Sequence, residues 1–489
     1  MKFELNAREF SRTELIRRLE ACLNKTLGEV DVQNVFDKTK SNPKVTGIAG
    51  DVVEQSILGY PADNRQQPDL IVDGEKTELK TTGIRYSKKE KNRYEAKEPM
   101  SITAVSPDKI VLETFETSNF WHKLERMLLV YYLYASSETV TAAEYADFPI
   151  KGYEFFEFDP ADREILKNDW TTVRDFIRHL QEEYENYKDE YPRISHELRD
   201  SLLYIDTAPK WPNYPRFRLK RSVVTSIVQK HFGQSLEQLP GKYSSPDDLE
   251  RKCRELTSLY YMDTVEELAD KLHVDGGLDS KSIGEQLIVR MFGGHVKKLQ
   301  KVELFSKIGM TAKTIVLTKA GLRTEDMKLF RIDFDEIMDR SLSFEESSFY
   351  EYFADLQMLC IVFKEPEPNS AFKENMFWGF KRLSFDQEFI ETNVRLVWEK
   401  IRDLIFTDSL EDVIDIDKDS GMPRINAKTG TVRSAPNFPK SSEGVVFVRG
   451  DSKDSTVKPE VVNGIRMYRQ YIWVKGSYIA ECLSKKEFL

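Results

Sequence analysis

Residues 68–80 read PDLIVDGEKTELK, a stretch that predicts a β-hairpin and organises the sheet around it. The Asp-Gly pair at 73–74 is a strong two-residue turn signal between β-prone runs. On the second arm, Glu78 and Lys80 are two residues apart, so their side chains share one face of the strand. Leu79 points to the opposite face, where a core would bury it. The hairpin therefore sets an acid and a base side by side.

This hairpin also carries a second acid, Asp69, on its first arm. Two carboxylates and a neighbouring backbone carbonyl form an oxygen cage that suits Mg²⁺, and Asp69, Glu78 and Leu79 could supply it. Lys80 could orient an attacking water and stabilise negative charge at a phosphate. An acid followed by Glu-x-Lys is the arrangement of metal-dependent DNA nucleases. A solvated strand edge can carry the same residues, so the pattern alone leaves both interpretations open.

Length and composition are those of an ordinary soluble protein with more than one domain. The chain has 489 residues, 40% of them hydrophobic and 31% charged, which predicts two or three domains. The start shows no secretory signal, and the apolar run from Met127 is too short to cross a bilayer. The cysteines are scattered without CxxC spacing, at Cys22, Cys253, Cys360 and Cys482. We therefore expect reduced thiols in the cytoplasm and neither a zinc site nor a disulfide framework.

The net charge of −10 does not indicate a nucleic-acid-binding protein, but phosphate contacts depend on local patches. One such patch is KWPNYPRFRLKR, residues 210–221, which contains basic and no acidic residues. A second is RYSKKEKNRYEAK, residues 85–97. Either patch could equally be a solvated surface.

Strand and helix patterns alternate over residues 1–235, which indicates a mixed α/β domain. Residues 236–275 are predicted to form a helical connector. The order of features then recurs over residues 276–489, so we predict two lobes of one fold. The matched segments are 47–60 with 282–294, 76–84 with 301–309, 114–124 with 343–353, 153–177 with 377–405, 202–210 with 445–453, and 216–226 with 471–480.

Five motifs follow one another in order within residues 45–230. They are GxxGxxxE, PD…ELKT, FETSxxxHKLxRML, DW and FxLKxxxxTS. This set resembles the MutH family, which comprises a mismatch-repair nicking endonuclease and two-lobed type II restriction enzymes that cut GATC. Length and the recurrence of features resemble the restriction branch. The resemblance implies two tandem MutH-like domains, the second degenerate, in an α/β (α+β mixed) protein.

The resemblance also implies roles for individual residues. The implied catalytic residues are Glu54, Asp69, Glu78, Lys80 and Lys123, with Mg²⁺ held by Asp69, Glu78 and the Leu79 carbonyl. The implied DNA-binding residues are Lys210, Arg216, Arg218, Lys220 and Arg221 in the first lobe. In the second lobe the internal repeat leaves Lys453, Lys475 and also Arg449, so DNA binding could persist there. Two features depart from the family pattern. The hairpin is two residues longer, which keeps the face unchanged because the insertion is even, and Arg218 stands where relatives have a smaller or aromatic residue.

The internal repeat predicts that the second lobe does not cut DNA. In the alignment of the two lobes, Ile288 corresponds to Glu54 and Glu303 to Glu78. Phe305 corresponds to Lys80 and Tyr352 to Lys123. Without one metal carboxylate and both lysines, the second lobe is expected to bind DNA or regulate cleavage instead.

The leading functional prediction is a Mg²⁺-dependent type II restriction endonuclease that acts on double-stranded DNA and leaves 5′-phosphate ends. The expected partners are DNA, a second copy in a transient dimer on two DNA sites, and a cognate DNA methyltransferase, with no membrane. Two alternatives are a mismatch-repair-type nicking endonuclease and a non-cleaving reader of DNA methylation.

Overall fold

The computed structural model describes residues 8–43, 45–60, 69–87, 92–136, 140–210, 213–274, 277–278, 282–323, 325–417, 419–452 and 454–489, with no side-chain description for 209–210. The chain divides into two compact units, each formed by discontinuous segments. The first unit contains Met1–Lys252 and Phe292–Met310, and the second contains Cys253–Met291 and Thr311–Leu489. The domain boundaries predicted at residues 235 and 275 stay predictions.

The first unit is mixed α/β, as predicted. Its strands are β1 (Glu9–Phe10), β2 (Leu70–Val72), β3 (Glu75–Tyr86), β4 (Tyr94–Ala96), β5 (Met100–Ala104), β6 (Met127–Leu133), β7 (Ile150–Phe156), β8 (Ile205–Lys210) and β9 (Asn213–Leu219). Its helices before residue 235 are α1 (Arg12–Glu20), α2 (Leu27–Val30), α3 (Lys38–Ser41), α4 (Ile48–Val52), α5 (Pro107–Ile110), α6 (Asn119–His122), α7 (Pro160–Glu183), α8 (Tyr187–Glu190), α9 (Ile194–Glu197) and α10 (Arg221–His231).

The hairpin predicted at 68–80 is formed by β2 and β3, which pair antiparallel with Val72 opposite Glu75. Asp73 and Gly74 both have positive φ, at 50° and 87°, which is the backbone geometry of a type I′ turn. The sharp turn therefore fixes the register of the arms, and Leu79 is buried in the hydrophobic core as predicted.

The principal sheet of the first unit has the strand order β1-β2-β3-β6-β7, with β4 paired to the far end of β3. β3 and β6 are parallel and bring Glu78 opposite Met127. Every residue of β6 is buried, as the apolar run from Met127 predicts. A separate sheet, β5-β9-β8, carries the basic segment on β9. The catalytic and basic segments of the sequence thus lie on different sheets of one unit.

Beyond residue 235 the helices are α11 (Pro246–Tyr260), α12 (Val265–Lys271), α13 (Ile283–Met291), α14 (Glu303–Ile308), α15 (Phe334–Met338), α16 (Ser348–Asp355), α17 (Gln387–Phe389), α18 (Arg395–Phe406) and α19 (Gly476–Ser484). The strands are β10 (Met310–Leu317), β11 (Met327–Arg331), β12 (Gln357–Lys364), β13 (Met376–Leu383), β14 (Asp412–Ile414), β15 (Ser434–Pro436), β16 (Val446–Asp451), β17 (Glu460–Val462), β18 (Ile465–Met467) and β19 (Arg469–Val474). None of the helices in the described ranges combines the length and apolar composition needed to cross a membrane.

Local structure recurs in the second unit at several matched segments. Ser118 caps α6 and Ser347 caps α16, each by accepting a hydrogen bond from a backbone N–H three residues later. Lys220 precedes α10 directly after β9, and Lys475 precedes α19 directly after β19. The three-stranded order β5-β9-β8 of the first unit likewise has a counterpart in β11-β19-β16.

The match between residues 76–84 and 301–309 is wrong, because the first segment belongs to strand β3 and the second forms helix α14. Glu303 and Phe305 are therefore not the structural counterparts of Glu78 and Lys80. The similarity in residue type between the two segments does not determine their secondary structure, because a short segment of mixed apolar and polar residues fits strand and helix patterns equally.

A glycine–threonine contact gives a better alignment of the two units. A Cβ atom placed on Gly284 of α13 would lie 1.9 Å from Thr314 Oγ1 on β10, and the nearest atom to a Cβ on Gly50 of α4 is Thr81 Oγ1 on β3. Aligning Thr81 with Thr314 puts Thr311 at the place of Glu78 and Lys313 at the place of Lys80.

Helix α14 belongs to the first unit, where a buried ionic cluster holds it. Lys307 Nζ lies 2.8 and 2.7 Å from the two oxygens of Asp162 at the start of α7, and 2.8 Å from Glu303 Oε1. The Tyr204 hydroxyl donates to the same Asp162 carboxylate. These charges are buried but mutually compensated, so the cluster is compatible with a stable core.

Candidate active site

Glu78 lies at the centre of the predicted site, and two lysines bind its carboxylate. Lys80 Nζ is 2.8 Å and Lys123 Nζ is 2.7 Å from the same oxygen, Oε1. The Glu78 side chain is only 1% exposed, and that of Lys123 is 10% exposed. The contact with Lys80 confirms the prediction that these two side chains share one face of β3. A buried carboxylate requires such cationic partners to remain ionised at acceptable cost.

The second oxygen of Glu78, Oε2, is buried and has no hydrogen-bond partner among the residues that the structure describes. Asp69 lies just before β2, and its Oδ2 accepts a hydrogen bond from the N–H of Leu79, the residue after Glu78, at 3.2 Å. Burial, and then the negative charge of Glu78, raise the pKa of Asp69, while Lys123 and Lys80 oppose this shift. The two carboxylates are thus near enough to repel each other, which is an arrangement that a cation would stabilise.

The Leu79 backbone faces away from β6. The Glu78 N–H donates to the Arg126 carbonyl, on the side of β6. Backbone alternation along a parallel strand then directs the N–H and carbonyl of Leu79 to the opposite side, where its N–H meets Asp69. The Leu79 backbone is thus tied to Asp69, the residue just before β2.

Glu54 reaches this neighbourhood from a different element, a π-helical turn at Val53–Leu58 that continues α4. Gly59 ends the turn with a φ of 84°, a conformation that favours glycine, and Tyr60 follows it. The charges of Glu54, Asp69 and Glu78 all raise the pKa of the Tyr60 hydroxyl, and burial of the ring raises it most. Tyr60, which the sequence patterns did not single out, is therefore within electrostatic range of all three predicted acids.

The donor set fits Mg²⁺ but does not form an all-protein cage. Among the described residues, no three His, Cys, Asp or Glu side chains are grouped closely enough to hold a metal ion. Mg²⁺ characteristically binds one or two carboxylates and completes its shell with water and substrate phosphate. Asp69, Glu78 and the Leu79 carbonyl are donors of that kind, and within the described chain Glu78 Oε2 has no hydrogen-bond partner.

The predicted DNA-binding residues of the first unit follow one face of β9 into α10. Along this strand, Phe217 and Leu219 are buried, whereas Arg216 is exposed. Arg218 forms a two-point contact with Asp206 on β8, at 2.7 and 3.0 Å, which holds its guanidinium in place. Lys220 Nζ donates to the Leu202 carbonyl at 2.6 Å.

The remaining predicted contacts are only partly described. Arg221 is the first residue of α10. The Lys210 side chain and the whole of Lys453 lie outside the described part of the chain. In the second unit, Arg449 contacts Asp326 at 2.8 Å, and Lys475 occupies the position before α19.

Comparison with known proteins agrees with this geometry. Residues 58–169, which include four of the five predicted catalytic residues, match the family described as DNA mismatch repair enzyme MutH. The matched residues lie within the first unit. A likeness over a longer part of the chain is found to Type II restriction enzyme Sau3AI of Staphylococcus aureus. The two sequences are 22% identical over 412 residues, which cover 78% of this chain and 77% of the relative. These matches support a MutH-like restriction endonuclease.

Proposed function

We propose that this protein is a type II restriction endonuclease that uses Mg²⁺ to hydrolyse phosphodiesters in double-stranded DNA, leaving 5′-phosphate ends. The observation that carries the proposal is the buried Glu78 carboxylate, which contacts two lysines through one oxygen, while its other oxygen has no hydrogen-bond partner among the described residues. The recognition sequence that the family likeness suggests is GATC.

Asp69, Glu78 and the Leu79 carbonyl would hold the cation. When bound, Mg²⁺ supplies a Lewis acid that polarises a phosphate oxygen and favours ionisation of a bound water. The raised pKa of Asp69 follows from burial and from Glu78, so a divalent charge between the two carboxylates would favour their ionised forms.

The two lysines would act on the substrate side of the site. Lys80 is the more exposed of the pair, with 18% of its side chain accessible, and is suited to orient a water molecule. Lys123 is nearly buried and is suited to stabilise negative charge at the phosphate, where a low-dielectric environment strengthens the interaction. Glu54 would fix the position of Lys80 or hold a second ion.

The basic face of β9 and the start of α10 would bind DNA. Arg216 is exposed for phosphate contact, whereas the Asp206 carboxylate holds Arg218 in a fixed orientation suited to a base edge. Lys210, Lys220 and Arg221 complete the proposed surface. Such contacts would make binding strongly dependent on salt.

We propose that the second unit is a catalytically inactive MutH-like domain that binds DNA or regulates cleavage. In the alignment based on the glycine–threonine contact, Thr311 takes the place of Glu78, and Ile288 takes that of Glu54. Lys313 remains at the place of Lys80, so loss of the carboxylates rather than of this lysine would explain the inactivity. Arg449, Lys453 and Lys475 are the proposed DNA contacts.

The decisive experiment is digestion of plasmid DNA by the purified full-length protein, with Mg²⁺ and with EDTA, on adenine-methylated, cytosine-methylated and unmethylated substrates. We expect discrete fragments whose sequenced ends share one site and carry 5′-phosphates, only with Mg²⁺. Nicks in one strand that require an added ATPase would instead favour a repair endonuclease. DNA binding without cleavage under all conditions would favour a methylation reader.

A further inference from the structure

The Tyr60 hydroxyl is a polar group near the predicted site that has no role in the proposed function. The residue is 1% exposed, and its hydroxyl has no hydrogen-bond partner among the residues that the structure describes. Its backbone is fixed, because the Tyr60 N–H donates to the Glu54 carbonyl at 3.1 Å. The Arg8 guanidinium lies 5.0 Å from the centre of the ring. The phenol is therefore held in place and buried, yet it donates to no group in the described part of the chain.

A buried hydroxyl without a partner destabilises a folded protein, and native structures contain few such groups. Here a second buried group shares the condition, since Glu78 Oε2 also has no partner within the described chain. One of these groups is a donor and the other is an acceptor, and the pKa of the phenol responds to the charge of Glu78. A single bound ligand with both an electropositive centre and oxygen acceptors would bind Glu78 Oε2 and accept a hydrogen bond from the Tyr60 hydroxyl. A hydrated divalent cation has these properties.

We propose that Tyr60 is a positioning residue whose hydroxyl donates a hydrogen bond to an oxygen in the shell of the cation held by Asp69 and Glu78, and thereby strengthens cation binding. This inference rests on the proposed function, because it assumes that the carboxylate pair binds a divalent ion. It adds a residue that touches neither DNA nor the scissile bond.

The surroundings of the phenol make it a donor. Glu54, Asp69 and Glu78 place negative charge around the hydroxyl and, together with burial, raise its pKa, so that the proton remains on the oxygen at neutral pH. The acceptor can be a cation-bound water or a carboxylate oxygen that the cation does not use. Hydrogen bonds to ligands of a metal ion orient those ligands and typically change affinity about 10- to 100-fold.

The test is Tyr60→Phe in the full-length protein without DNA, with Mn²⁺ and Mg²⁺ binding measured by titration calorimetry. We expect binding about 10-fold weaker than in the wild type. The thermal midpoint of the metal-free variant should be equal to or higher than that of the wild type, because an unpartnered hydroxyl is lost.

The matched control is Tyr204→Phe, which also removes a buried hydroxyl beside a carboxylate, that of Asp162 at 2.8 Å. This control should lower the thermal midpoint and leave cation affinity unchanged, since its hydroxyl has a partner away from the site. A further readout needs no variant: Mg²⁺ should change the ultraviolet absorbance of the wild-type tyrosines as the phenol acquires an acceptor.

Two results would overturn the inference: a cation affinity of Tyr60→Phe within two-fold of the wild type, or no change in tyrosine absorbance when Mg²⁺ is added. If the wild type still cuts DNA, either result would leave the nuclease proposal intact. A wild-type protein that neither binds Mg²⁺ or Mn²⁺ nor cuts DNA would overturn the proposed function, and this inference with it.

Discussion

Lys123 contacts Glu78 across 45 residues of sequence, with its amine nitrogen 2.7 Å from the carboxylate oxygen Oε1. Lys123 ends the short helix α6, and Glu78 lies near the start of the hairpin's second arm. Parallel pairing of β3 with β6 brings these elements together, because Glu78 lies opposite Met127, the first residue of β6. The sheet topology therefore assembles the site, and neither local segment could do so alone.

Replacing Glu78 with Gln should lower the rate of DNA cleavage by about 10²-fold or more, while DNA binding is retained. The neutral amide cannot hold the cation, and it leaves the buried Lys123 amine with weaker compensation, so the thermal midpoint should also fall. Plasmid cleavage and equilibrium DNA binding measure the two effects. Glu75→Gln is the matched control, because Glu75 lies exposed on the same strand and its carboxylate pairs with Arg126 at 3.1 Å. Unchanged cutting by the Glu78 variant would refute the site assignment.

Replacing Arg216 with Ala should weaken binding to all DNA sequences alike and reduce the salt dependence by about one released counterion. Arg216 is exposed on the basic face of β9, where it can contact a phosphate without disturbing the buried Phe217. Binding measured across a salt series gives the slope. Arg17→Ala, at an exposed position on α1, should leave both affinity and slope as they are. A loss of affinity confined to one sequence would argue instead for base recognition.

The buried Asp169 should make the protein less stable as pH rises from about 4 to about 6. Burial raises the pKa of its carboxyl from 3.8 to about 6, although the N–H groups of Leu203, Tyr204 and Ile205, and the Lys220 charge, oppose the shift. In this window the folded state binds more protons than the unfolded state, so the free energy of unfolding decreases with increasing pH.

Asp169→Asn removes this titration, so the difference in thermal midpoint between wild type and variant should change between pH 4 and 6. Above pH 7 the variant should be less stable by about 1–3 kcal/mol, because an amide cannot accept all three backbone hydrogen bonds. Asp175→Asn, exposed on the same helix α7, should show neither effect. A constant difference across the pH range would contradict the assigned pKa.

Gly284→Ala should destabilise the second unit by about 1–3 kcal/mol, because its Cβ would overlap Thr314 Oγ1 at 1.9 Å. The equivalent change Gly50→Ala in the first unit meets only Thr81 Oγ1 at 4.0 Å and should be neutral or stabilising. Scanning calorimetry resolves the two effects. Adding Thr314→Ala to the first variant should restore part of the loss, and failure to do so would remove the glycine–threonine contact as the cause.

Local rules were sufficient for much of the catalytic segment. The Asp73–Gly74 pair fixed a tight turn, and strand alternation then put Glu78 and Lys80 on one face and Leu79 in the core. The cap that Ser118 forms on α6 depends on the same kind of short-range chemistry. Such features depend on residues two to four positions apart, which a single sequence displays directly.

Other features depend on long-range packing and could not be read in this way. Tyr60 joins the site only because a π-helical turn ends at Gly59 with positive φ, and periodicity does not encode that geometry. Helix α14 was mistaken for a strand because its letters resemble those around Glu78. Its helical state is stabilised by the buried contact of Lys307 with Asp162, a residue far away in the sequence.

That contact also limits how the protein can be divided. A gene truncated at residue 275 would encode every predicted catalytic residue but would lack Lys307, leaving the Asp162 carboxylate in the interior without its cation. The shortened polypeptide would then have to protonate or solvate that acid in order to fold. The first unit is consequently not a segment that can be separated from the rest by a single cut in the coding sequence.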